Sequence, residues 1–154
     1  MSENVEFSQH KDFLEYFEKI GIGVILQEKI EEIYNFYQNV CSEKIEDIFI
    51  DEYINADGER VYEDINLFSE SFVMVSNNFI KLPDFFMCSL KNNVAFWAME
   101  KIEYDFIEAN EKSRMNLRVS FNSDANASFK GSKENCDHLK KIMMKYIVTN
   151  CTQS

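Results

Sequence analysis

The chain has 154 residues, 45% of them hydrophobic, and a formal net charge of −11 at pH 7. A length of this order fits one domain that buries about two-thirds of its unfolded surface, and the charge argues against phosphate backbones or anionic lipid as partners. The start, M-S-E-N-V-E-F-S-Q-H, lacks a basic segment followed by an apolar one, and no apolar run is long enough to cross a bilayer, so a cytoplasmic protein is expected.

Cys41, Cys88, Cys136 and Cys151 show no C-x-x-C pairing and are expected as free thiols, Cys88 and Cys136 as small core residues. With 4 glycines and 1 proline there is no linker composition, so residues 1–154 are expected as a single domain, with disorder confined to 1–7 and 149–154.

In chain order, Phe13, Leu14, Phe17 and Ile20 recur at helical spacing, and Gly21 is placed to stop the helix. A second helix is predicted over 24–40, with Leu26, Ile30, Ile33, Tyr37 and Val40 on one side and mostly Glu and Gln on the other. Two such helices joined by Gly-Ile-Gly suggest a hairpin over 8–40. Its apolar stripe packs on a sheet or, as the sharper alternative, forms a homodimer seam.

From residue 43 the period changes to two. Strands are predicted around Ile48 and Ile50, over Val61–Leu67 and over Phe72–Val75, with Asn55-Ala-Asp-Gly58 and Asn77-Asn78 as turns and a short apolar run over Phe85–Leu90. Residues 94–109 read as two strands with a bend near Glu100-Lys101, although a helix fits the same residues. The clearest strand is Arg114–Phe121, where Met115, Leu117, Val119 and Phe121 alternate with polar residues. A short strand at Ala127 and Phe129 follows. Gly131-Ser132 then opens an amphipathic helix carrying Cys136, Leu139, Ile142, Met143, Tyr146 and Ile147.

The expected class is therefore α+β: an N-terminal helical hairpin, about seven antiparallel strands and a C-terminal capping helix. Over 44–147 this order resembles the pleckstrin-homology-like superfold, including its bacterial and GRAM-type members. The segments carrying the likeness are Tyr62–Phe68 with Phe72–Val75, then Val94–Ile102, then Arg114–Phe121 with the helix over 132–147. The resemblance implies a bent barrel plugged at one end by the last helix. Trp97 does not lie on that helix, where many members carry a tryptophan. The loop that lipid-binding members make basic is the acidic Tyr53–Val61 here, so the resemblance implies docking of peptides or partner domains rather than phosphoinositides.

Between Glu43 and Asp64 there are nine acids against two bases, whereas residues 111–154 carry eight bases against four acids. The acidic stretch, with Glu46, Asp47, Asp51, Glu52 and Glu59 as partner-binding candidates, suits a basic protein partner; a solvated surface explains the same residues. Asn55, Asp57 and Asp64 fall near calcium-loop spacing, but Tyr53 stands where the first carboxylate belongs, and a hairpin turn explains them with fewer assumptions. Cys136 and His138 are two apart, on different sides of a helix, so Cys136 is expected in the core and His138 in solvent. Glu103 and Asp105 share a strand face and read as a wet face.

No catalytic motif or cofactor-binding loop is found. The expectation is a non-enzymatic protein-binding or regulatory domain. The alternatives are a small carboxylate-dependent enzyme, requiring a buried Asp or Glu in a deep pocket, and an acidic mimic of nucleic acid, requiring the acids of 43–64 on one face.

Overall fold

The computed structural model describes residues 6–41, 43–81, 84–102 and 109–152. Among these residues three α-helices and two antiparallel sheets are arranged in layers, which establishes the α+β class. The helices are α1 (Lys11–Lys19), α2 (Val24–Val40) and α3 (Asn135–Ile142); α3 runs on through a π-type turn (Met143–Ile147). Sheet A contains β1 (Asp47–Ile54), β2 (Arg60–Phe68), β3 (Phe72–Asn77) and β4 (Asp84–Ser89) in that order. Sheet B contains β5 (Val94–Ile102), β6 (Arg114–Phe121) and β7 (Asn126–Ser132) in that order. Among the described residues no helix is long and apolar enough to cross a membrane.

The α1 helix ends where only glycine is comfortable. Gly21 has φ +81°, Ile22 N–H donates to Phe17 O (2.8 Å) and Gly21 N–H to Glu18 O (3.2 Å), a Schellman closure that turns the chain into α2. Ile30, Ile33 and Tyr37, the stripe considered for a dimer seam, are buried inside this same chain together with Ile48, Ile50, Ile65 and Leu67 of sheet A. Val40 departs from the prediction: it is 53% exposed and lies outside that stripe.

Sheet A is covered on both faces. Alternate residues of β1 go opposite ways, Ile48 and Ile50 to the helical hairpin and Phe49 to a second core shared with sheet B and α3. The second core gathers Phe49, Phe68 and Phe129, backed by Leu139, Ile142 and Tyr146 of the last helix.

Three expectations are corrected. Residues 94–102 form one continuous strand with no bend at Glu100-Lys101, because β5 is an edge strand whose outer face is wet and takes charge without leaving the ladder; the predicted strand half around Tyr104 and Phe106, with Glu103 and Asp105, lies outside the described residues. The two ends are more ordered than expected: Phe7 is buried against Phe17, and Thr152 N–H donates to Val94 O (2.9 Å). His138 is packed rather than solvated. Its ring stacks on Tyr16 at 3.9 Å, and Nε2–H donates to Ile48 O at 2.7 Å.

The ladders make two separate sheets, and among the described residues they do not close into a barrel. At the seam, β1 and β7 are joined by side chains. The Ile50 N–H donates to Tyr16 Oη (3.0 Å), Tyr16 Oη–H donates to Asn135 Oδ1 (2.6 Å), and Asn135 Nδ2 donates back to Ile50 O (2.9 Å). Glu52 Oε1 accepts from Ser132 N (3.0 Å) and from Ser132 Oγ. The outer edge of β1, which would otherwise present unpaired backbone groups, is thereby closed.

Candidate docking site

Sheet A has a second outer edge, on β4, and among the described residues it is not closed in this way. All six β4 residues pair with β3, from Asp84 opposite Asn77 to Ser89 opposite Phe72. In an antiparallel strand every second residue turns its N–H and C=O away from its partner. Among the described residues the one bond to that outer backbone is from Asn93 Nδ2 to Ser89 O (2.7 Å).

The side chains beside this edge are apolar. Met87 stands opposite Met74 and Phe85 opposite Ser76, so both point to the face that carries the helical hairpin. The hairpin does not reach far enough to cover them: Phe85 and Met87 are 40% and 41% exposed. The contact they gain is Phe36 of α2, whose ring lies 4.7 Å from that of Phe85 and is itself 43% exposed. Along α2, Ile25, Phe36 and Val40 share one side by helical spacing. Near the start of α2, Val24, Ile25, Leu26 and Ile80 line a groove of about 750 Å³ whose rim carries Glu28 and Glu32. Scattered exposed apolar residues are ordinary, whereas a contiguous strip beside an open strand edge marks an interaction surface.

The acidic candidates are not brought together. Asp51 and Glu52 are 2% and 1% exposed, so neither is available to a partner, which corrects their place among the partner-binding candidates. Glu46 and Asp47 hold the last helix, accepting from Tyr146 Oη and facing Lys145 Nζ at 3.7 and 3.0 Å. Glu59 is exposed in the β1–β2 hairpin, away from both pairs. The acids of 43–64 thus occupy several faces and the interior, because the β1–β2 ladder turns successive residues to opposite sides.

The calcium-spaced residues are likewise committed to the backbone. Asn55 Oδ1 accepts from the N–H groups of Asp57 and Glu59 (2.9 Å each), Gly58 sits at φ +78°, and Asp64 Oδ1 accepts from Asn78 N (2.9 Å) in a different turn. Among the described residues no group of three or more His, Cys, Asp or Glu is placed to hold a metal.

Glu52 lies at one side of a pocket of about 290 Å³ between the β1–β2 hairpin and the outer face of sheet B. Its second oxygen meets Arg60 Nε at 2.5 Å without the N–H aligned along the contact, and Arg60 Nη1 continues to Glu134 at 2.7 Å. Burial pushes the Glu52 carboxyl up, against the opposing pull of Ser132 and Arg60. Asp51 is raised well above the carboxylate range, first by burial and then by the charge of Asp64. A bulge contributes to this: between the pairs Ile50–Ile65 and Glu52–Tyr62, the single residue Asp51 faces both Glu63 and Asp64.

A raised folded-state pKa means that the native state holds the proton more tightly than the unfolded chain. Stability from Asp51 is therefore complete below the unfolded value near 3.8 and is lost as pH rises through the folded one. Asp51→Asn removes that loss, so the variant should be more stable than the parent at pH 8, with the gap narrowing steadily toward pH 4. Urea melts across this range check it, and a gap that widens in acid contradicts the assignment.

No family model, curated protein or solved structure matches this chain. The strip on α2 and β4 was not visible as a site in the sequence. Its signal was a surplus: α2 carries more apolar residues than one buried face can use, and Phe85-Phe-Met87 is apolar on both faces of an edge strand.

Proposed function

We propose that the chain is a non-enzymatic, protein-binding domain of the pleckstrin-homology-like kind, a bent pair of small sheets with α3 closing one end of their shared core. The observation that carries the binding reading is the exposed apolar strip of Phe36, Val40, Phe85 and Met87 beside the open backbone of β4. The element order, four strands then three then the helix, supports the fold kinship. The carboxylate-enzyme alternative has less support, because the oxygens of buried Glu52 are engaged by Ser132 and Arg60 and Asp51 is held by Asn66. The nucleic-acid-mimic alternative needs one acidic face, and the carboxylates of 43–64 are dispersed.

A photo-crosslinking phenylalanine analogue placed at position 85 of the full chain, and at exposed Ser128 as a control, tests the binding reading in the native host. A discrete protein adduct from position 85 and none from 128 is the expected result. Indiscriminate adducts from both positions, or none from either, would remove the strip as the binding surface.

A further inference from the structure

We propose that the occupant of the strip is an extended segment of another protein that adds to β4 as a fifth strand of sheet A, with apolar residues toward Phe85 and Met87 and Lys or Arg toward Glu28 and Glu32. This rests on the protein-binding reading above and names the chemistry of the partner.

The extended form follows from the geometry of the edge. Phe85 and Met87 are two apart on one face, which is the repeat of a strand, and a strand laid alongside satisfies the outward N–H and C=O groups of β4 while covering both side chains. A helix in the same place covers the side chains and leaves those backbone groups to water. Phe36, whose ring lies against Phe85, stands beside the added strand on the α2 side.

The basic character follows from the rim. The groove at the start of α2 is lined by Ile25 and Ile80 together with Glu28 and Glu32, which stand about two turns and one turn before Phe36 along the helix. Among the described residues the one cation lining the groove, Lys29, stands 4.0 Å from Glu32 with its side chain 35% exposed, too loose a pair to neutralise the two acids. Lys81 and Lys91 flank β4 against Asp84 at its start, so the acidic pull on a partner comes from α2 and not from the ends of the strand. A second copy of this chain is the poorer occupant, since it sets one net charge of −11 against another and brings two acidic rims together.

The test uses the full chain and three synthetic peptides of about ten residues: one alternating Val with Ser whose last two Val positions carry Lys instead, so that Val and Lys share one face, its twin with Glu for Lys, and the Lys peptide with alternate backbone nitrogens methylated. Amide exchange over 84–89 and binding by titration are read at low and high salt. The Lys peptide should slow exchange across β4 and bind roughly tenfold more tightly than either other peptide, with the margin over the Glu twin shrinking in salt and in the Glu28→Gln/Glu32→Gln variant.

Equal binding of the Lys and Glu peptides overturns the basic character of the partner, and indifference to backbone methylation overturns strand addition. Both of those results leave standing the crosslinking result at position 85, so failure here is distinguishable from failure of the binding reading. Protection of β4 in the chain alone, rising with protein concentration together with a dimer mass, assigns the edge to a second copy and overturns the proposal.

Discussion

Replacing Phe129 with alanine should lower the unfolding free energy by about 4 kcal/mol, among the larger losses a single side chain can cause. Phe129 is fully buried on β7. Its ring meets Phe49 edge-on at 6.3 Å and Phe68 at 6.0 Å, so it is the point where sheet B interlocks with sheet A. Truncation removes the apolar transfer energy and leaves a cavity walled by two other rings, which cannot both move inward without leaving their own strands. The corresponding fall in melting temperature is roughly 10 °C for a chain of this size. Phe85→Ala is the matched control: that ring is 40% exposed on an edge strand, and its loss should cost under about 1 kcal/mol. Equal losses from the two substitutions in urea melts would mean that the strip is part of the core and not a surface for a partner.

Arg60→Ala should cost about 3 kcal/mol at neutral pH, for an electrostatic reason. The Arg60 side chain is 14% exposed, and its guanidinium reaches three groups from different parts of the chain: Glu52 at 2.5 Å, Glu134 at 2.7 Å and Ser132 O at 3.3 Å. Without it the Glu52 carboxylate, whose side chain has no solvent exposure, keeps only Ser132. The Glu52 carboxyl is already raised by burial and rises further when Arg60 is gone, so the native state gains a proton the unfolded chain lacks. The penalty should therefore be smaller at pH 5 than at pH 8. Replacing both residues with methionine should recover most of the loss, because two apolar side chains need no partner in that space. Arg60→Lys should not recover it, since one point charge cannot reach three acceptors in a fork. A pH-independent loss, or one unrelieved by the double replacement, would show that Arg60 acts through packing.

The parts of the fold legible in the sequence are those with one wet face. The α1–α2 hairpin, its Gly21 stop, the alternating β6 and the last helix each show a period that burial on one side imposes, although that helix starts at Asn135 and Gly131-Ser132, expected to open it, end β7 instead. Strand β1 hid its logic because both of its faces are buried, and Ile48-Phe-Ile50 reads as a plain apolar run. Asp51 and Glu52 were misread as surface for a related reason. The groups that make their burial tolerable are distant in the chain; Ser132 lies 80 residues from Glu52. His138 was misplaced in the same way, since its partners Tyr16 and Ile48 come from other elements. The candidate docking strip was illegible because exposure of Val40, Phe85 and Met87 depends on where α2 stops covering sheet A, and local spacing carries no record of that.

The two edges of sheet A differ in a way that sets how many molecules can assemble there. On β1 the side chains of Tyr16, Asn135 and His138 occupy the backbone positions that another strand needs, while β4 offers its own. A sheet with one usable edge of its own offers a second copy a single place to pair. Two copies meeting β4 to β4 leave only their closed β1 edges outward and so form a closed twofold pair. Filament growth through sheet A would require the Tyr16–Asn135 closure to be dismantled first, which ties the solubility of the protein to the docking of α1 and α3.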